Sequence, residues 1–86
     1  MLRLDYARQA ERFLDESQQV LRRRLLARTE ALPDDPVPHD AVRVRGELGL
    51  TYRIRVGDYR VLYRIEPEHQ RILVIKIDKR GRVYSA

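Results

Sequence analysis

The sequence predicts an α+β domain: an N-terminal strand, a helical hairpin and then an antiparallel β-meander, with both helices on one face of a single sheet. Three observations predict it. Apolar residues recur at helical spacing between Ala10 and Leu32. Pro33, Pro36 and Pro38 then interrupt any further helix. From Thr51 onward, apolar and charged residues alternate in runs separated by turn formers. Eighty-six residues bury one modest core, so residues 1–86 are read as a single domain.

Leu2 to Tyr6 alternates apolar and polar residues and is read as a short strand. From Ala7 the period changes. Ala10, Phe13 and Leu14 form one helical stripe, and Leu21, Leu25 and Leu32 form another. Asp15, with Gln18 three residues later, has the spacing of a capping box, so the hairpin is expected to break near Asp15. Asp34 and Asp35 join the prolines in a rigid connector that reaches His39. Val42 and Val44, alternating with Arg43 and Arg45, make a short extended segment. Gly46 to Leu50 is read as a loop.

Three strands follow. Tyr52, Ile54 and Val56 share one face, Arg53 and Arg55 the other. Gly57-Asp58 is a tight hairpin turn. Tyr59, Val61, Tyr63 and Ile65 alternate with Arg60, Leu62 and Arg64. Pro67 to Gln70 makes the second turn. In the last strand, unbroken alternation puts Leu73, Ile75 and Ile77 on one face. Ile72, Val74, Lys76 and Asp78 take the other, with Arg80 in the same phase. The helix-covered face is expected to hold Ile54, Val56, Val61, Tyr63, Ile65, Ile75 and Ile77. The opposite face then displays Arg53, Arg55, Arg60 and Arg80 together.

Charge divides the chain in two. Residues 1–50 carry nine basic and nine acidic side chains, whereas residues 51–86 carry nine basic and four acidic. The whole formal surplus of +5 therefore belongs to the strand-rich part. Sixteen of the eighteen basic residues are arginine, whose planar fork of donors suits phosphate and stacks on bases. A positive field concentrated on one sheet points to a polyanionic partner, RNA or DNA first. The absence of cysteine excludes disulfides and thiolate metal sites. His39 and His69 fall in turns, so no metal site is expected. No apolar run reaches membrane-spanning length and no signal pattern opens the chain, so no membrane partner and a cytoplasmic location are expected.

The segment Tyr52-Arg53-Ile54-Arg55-Val56-Gly57-Asp58-Tyr59-Arg60-Val61-Leu62-Tyr63 resembles a signature of the RelE/ParE superfamily of toxins from toxin–antitoxin pairs. Lys79-Arg80-Gly81-Arg82-Val83-Tyr84 resembles the end of the RelE branch, and the order of elements is similar over nearly the whole chain. Ending two residues after Tyr84, the chain resembles the shorter, archaeal-style forms.

The resemblance implies a type II toxin that acts as a metal-independent endoribonuclease, an mRNA interferase needing no cofactor. Such toxins enter the ribosomal A site and cut mRNA there. The ribose 2′-hydroxyl attacks the adjacent phosphate, leaving a 2′,3′-cyclic phosphate (or 3′-phosphate) end and a free 5′-hydroxyl. Carried over, Arg53 and Arg55 take the two basic positions of the first meander strand. Arg60 stabilises the phosphate, Arg80 is assigned to leaving-group protonation, and Tyr84 stacks on or orients the base. Lys76, Lys79 and Arg82 are read as RNA-binding cations. RelE members carry lysine at the positions of Arg53 and Arg55. A guanidinium cannot give up its proton as an ammonium can. Electrostatic stabilisation is therefore the role implied for both, with Tyr84 kept as a base candidate. The implied partners are the ribosome and its mRNA, and a RelB-like acidic antitoxin. The antitoxin's amphipathic helix would cover the toxin in a hetero-oligomer.

Two further readings use the same residues. A ParE-like chain would inhibit gyrase by protein contact without catalysis, and a degenerate member would only bind its antitoxin. Arg53 and Arg55 also fit a solvated strand face, and Arg22-Arg23-Arg24 the wet side of a helix. Tyr59 and Tyr63 fit core positions, and Gly57-Asp58 fits turn chemistry.

Overall fold

The computed structural model describes residues 2–79. Among them, β1 (Arg3–Tyr6) leads into α1 (Arg8–Glu16) and α2 (Gln19–Glu30). β2 (Val42–Arg43), β3 (Leu50–Val56), β4 (Tyr59–Glu66) and β5 (Arg71–Lys79) follow, with a single 3-10 turn at Pro67–His69. The strands form one sheet in the order β1-β5-β4-β3-β2. β3, β4 and β5 are the expected antiparallel meander. β1 lies parallel to β5, which makes the sheet mixed.

Both helices cover one face. Ala10 and Leu14 of α1, Leu25 of α2 and Leu32 pack on Ile54, Val56, Val61, Tyr63, Ile72, Val74 and Ile77. Two of these sheet residues, Ile72 and Val74, were expected on the opposite face. The register explains the difference. Leu62 pairs with Lys76, but the next residue, Tyr63, pairs with Val74. Ile75 is thus an extra residue, a β-bulge that reverses the phase of the strand. Ile72, Val74 and Ile77 all become fully buried, while Leu73 and Ile75 are only half-buried. Burying a branched side chain gains about 1.5–3 kcal/mol, against about 1 kcal/mol for an interrupted ladder hydrogen bond, so the bulge is favourable.

The hairpin breaks later than the capping-box spacing suggested. Asp15 lies inside α1, and Gln18, which precedes α2, makes no side-chain cap. Cationic capping of α1 fixes the break instead. The Arg22 guanidinium donates to the carbonyls of Leu14 (2.8 Å), Asp15 (3.2 Å) and Ser17 (2.6 Å). Ser17 Oγ donates to Phe13 O at 2.6 Å. These bonds satisfy carbonyls that the helix end leaves open, where positive charge is also favoured.

Side chains also tie the connections down. The buried Tyr63 donates its hydroxyl to Pro36 O at 2.7 Å, anchoring the proline connector, and burial pushes its phenol pKa up. Gly57 sits at φ +60° in the β3–β4 turn, with the Arg24 guanidinium 3.1 Å from where a Cβ would stand. β1 pairs with β5 only as far as Val74. Beyond it the Gln9 amide takes over, accepting from Ile77 N (2.9 Å) and donating to Ile77 O (3.0 Å).

On the face away from the helices, an ion-pair network crosses β4, β5 and β1. Glu66 accepts from Arg71 Nε (2.5 Å) and Arg64 Nε (3.0 Å). Asp5 accepts from Arg71 (3.2 Å) and Arg3 (3.4 Å). Arg71 foremost, and Arg64 with it, hold the Glu66 carboxyl below its usual range against the opposing effect of burial. A depressed carboxyl contributes stability that is fully present above its unfolded pKa and lost as pH falls through its folded value. Thermal melts between pH 7 and pH 2 should therefore show wild type losing stability on the acid side. Glu66→Gln should start lower at pH 7 and show a shallower acid limb. Parallel curves for the two proteins would rule out this contribution.

Candidate functional site

The open face is built by strand pairing. At the hairpin end, Arg55 of β3 lies opposite Arg60 of β4, and Arg60 lies opposite Asp78 of β5. One step inward, Val42, Arg53, Leu62 and Lys76 form a second row across four strands. Neighbouring strands lie about 4.8 Å apart, so both rows fit within one short span. Arg53, Arg60 and Lys76 are half-buried, and Arg55 is exposed. Leu62 is buried between Arg53 and Lys76, whose aliphatic stems suit such a floor.

The bulge separates this patch from the ion-pair network. Beyond Ile75 the open face continues with Thr51, Arg64, Leu73 and Asp5, then Glu66, Arg71 and Arg3. Carboxylates engage the cations there. Before the bulge, four cations among the described residues share the face with one carboxylate, Asp78. Like charges directly opposite each other destabilise an antiparallel pair by roughly 0.2–1 kcal/mol. The Arg55–Arg60 pairing sets two such like charges directly opposite each other.

The structure therefore brings together Arg53, Arg55, Arg60 and Lys76. It places Lys79 elsewhere: opposite Tyr59, in phase with the helix-covered side, and exposed at the end of β5. Arg80, Arg82 and Tyr84, assigned from the sequence, lie outside the described residues. Asp78 was given no role by sequence reasoning. The signal for it is positional, because it stands opposite Arg60 only once the β4–β5 register is known. The face toward the helices has a different character. A groove of about 650 Å³ runs there between the hairpin and Tyr59, lined by Phe13, Val20, Leu21 and Arg24. No group of three or more His, Asp or Glu residues able to hold a metal ion occurs among the described residues. No helix among them is long and apolar enough to cross a membrane.

A family model described as ParE toxin of type II toxin-antitoxin system, parDE, matches residues 4–84. Toxin RelG of Mycobacterium tuberculosis (strain H37Rv) is 42% identical over 41 residues, 48% of this chain and 47% of that protein. The chain thus spans about half the length of the curated relative it matches. A chain of the archaeal RelE–RelB complex from Pyrococcus horikoshii OT3 is 30% identical, with a TM-score of 0.81 over 94% of this chain and 97% of that one. The isolated E. coli RelE toxin, 21% identical, shares the fold at a TM-score of 0.80, over 95% of this chain and 87% of that one.

Removing the outer cation should relieve the repulsion across β3 and β4. Arg55→Thr is expected to raise the melting temperature in low salt, by an amount equivalent to about 1 kcal/mol or less. The gain should shrink at high ionic strength, where exposed charges are screened. A variant less stable than wild type at every salt concentration would show that the two guanidiniums do not repel.

Proposed function

The chain belongs to the ParE toxin family of type II toxin–antitoxin systems, within the RelE/ParE superfamily, and on that premise we propose that it is a metal-independent endoribonuclease that cuts mRNA on the ribosome. The observation that carries the reading is the cationic end of the open face. Three arginines and a lysine from three strands converge there, on a rigid sheet. Attack by the 2′-oxygen builds negative charge on the phosphorane oxygens, and fixed guanidiniums stabilise that charge without reorganising. Arg60, central in its row, is assigned to the phosphorane. Arg53 and Arg55 are assigned to electrostatic stabilisation and RNA attraction, because neither can act as a base. Lys76 holds the RNA backbone from β5. The sequence-based roles of Arg80 and Tyr84, leaving-group protonation and base stacking, belong to the same proposal, as does RNA attraction by Lys79 and Arg82.

The partner in the cell is then an antitoxin. Likeness to a chain of an archaeal RelE–RelB complex supports this pairing. An acidic antitoxin segment would neutralise the same cations that attract RNA, so inhibition and substrate binding compete for one surface.

A second reading rests on the family model itself, which is named for ParE. In it the chain inhibits gyrase by protein contact, and the open face is a docking surface.

Purified protein added to stalled ribosomes separates the two. The expected result is A-site cleavage leaving 2′,3′-cyclic phosphate and 5′-hydroxyl ends. Arg60→Ala should lower the single-turnover rate by about 100-fold or more, the usual effect of losing one transition-state donor. Uncut mRNA together with inhibited DNA supercoiling would replace the ribonuclease reading with the ParE-like one.

A further inference from the structure

An endoribonuclease of this kind needs a group to take the proton from the 2′-hydroxyl. The arginines of the open face cannot do so, since a guanidinium keeps its proton in proteins. Tyr52 and Tyr59 are in phase with the helix-covered side, opposite Tyr63 and Lys79. Glu66 and Asp5 belong to the ion-pair network beyond the bulge, where both accept from arginine. Asp58 lies in the turn past the end of the paired strands. Among the described residues, one carboxylate shares a row with the cations: Asp78.

Its position is held from several sides. Asp78 pairs with Arg60 across the β4–β5 ladder, and Arg60 pairs with Arg55. The preceding residue, Ile77, is buried and clamped at both its N–H and C=O by the Gln9 amide. Asp78 Oδ1 accepts from Lys79 N at 2.7 Å, which fixes the orientation of the carboxylate. Asp78 is thus mounted on a strand braced by α1 on one edge and by the arginine row on the other. Lys76, two residues back and in the same phase, lies one row inward.

We propose that Asp78 is a catalytic residue, the general base for an RNA 2′-hydroxyl whose neighbouring phosphate rests on Arg55 and Arg60. The inference rests on the ribonuclease reading and gives the proton to Asp78 in place of Tyr84, the base candidate of the sequence. The 2′-hydroxyl proton passes to the Asp78 carboxylate as the bond from O2′ to phosphorus forms. The bond from phosphorus to O5′ breaks with its electron pair, and O5′ takes a proton from a water that Arg80, the residue assigned to leaving-group protonation, activates. The hydroxide so formed removes the proton from Asp78. Products are the 2′,3′-cyclic phosphate and the 5′-hydroxyl, with no net consumption of protons. The substrate class is single-stranded RNA with a free 2′-hydroxyl, and a deoxyribose at the cut position must abolish the reaction.

Single-turnover cleavage of ribosome-bound mRNA tests the assignment. Asp78→Asn should slow cleavage by about 100-fold or more, within the usual contribution of a general base. Binding to the mRNA-loaded ribosome and the melting temperature should stay near wild type. Asp78→Glu should recover part of the rate. Asp78→Ala should be accelerated by added formate, which a purely structural role would not allow, and this readout serves even if the asparagine variant folds poorly. Asp58→Asn, the neighbouring carboxylate control, should cleave like wild type. Wild-type cleavage with Asp78→Asn within about threefold of it would overturn the assignment and leave the ribonuclease reading intact. Loss of activity in Asp78→Ala without formate rescue would overturn it too. A wild-type chain that cuts no RNA would remove the ribonuclease reading and this inference together.

Discussion

A single unpaired residue, Ile75, lets one strand serve two surfaces. Before it in the chain, Ile72 and Val74 reach into the core; after it, Lys76 and Asp78 stand on the open side while Ile77 returns to the core. Unbroken alternation could not do both. It would bury Lys76 and Asp78 among aliphatic side chains or turn Ile72 and Val74 to solvent. Burying unpaired charge costs far more than one interrupted pairing step. The bulge therefore sets where the hydrophobic face ends and where the charged rows begin.

The two ends of the open face use the same residue types to opposite ends. Near β1, Arg3, Arg64 and Arg71 are matched by Asp5 and Glu66, and the charges knit three strands together. Near the β3–β4 turn, cations outnumber carboxylates among the described residues, and two arginines stand opposite each other across the ladder. The first arrangement contributes to holding the sheet. The second draws on that stability and keeps a field available to an incoming anion. A small domain tolerates such a region because its core is continuous beneath it, from Ala10 and Leu25 to Val61 and Ile77.

Much of this was legible in the sequence. The period change at Ala7, the proline-rich connector and the alternating runs after Thr51 located the elements, and the arginines at 53, 55 and 60 fell on one face by phase alone. What escaped was set by pairing between distant segments. Alternation has no sign for a bulge, because Ile72 to Ile75 are all branched or aliphatic and either phase reads as apolar. The capping-box spacing at Asp15 was outweighed by Arg22, whose reach to three carbonyls depends on the angle between the helices. The parallel pairing of β1 with β5 brought Asp5 to Arg71 across 66 residues of chain, which no local pattern encodes. The partnership of Arg60 with Asp78 belongs to the same class, whereas alternation from Asp78 to Arg80 already set Lys79 on the other side.

The Gln9 amide, bonded in both directions to the backbone of Ile77, stands in for one residue of a missing neighbour strand. Its side chain springs from α1, so that stretch of β5 can be uncovered only if the helix lifts. Amide exchange at Ile77 should then report the opening of α1 rather than fraying of the strand. A cellular protease, or a foreign strand seeking a sheet to join, would meet a closed border there until the helix gives way.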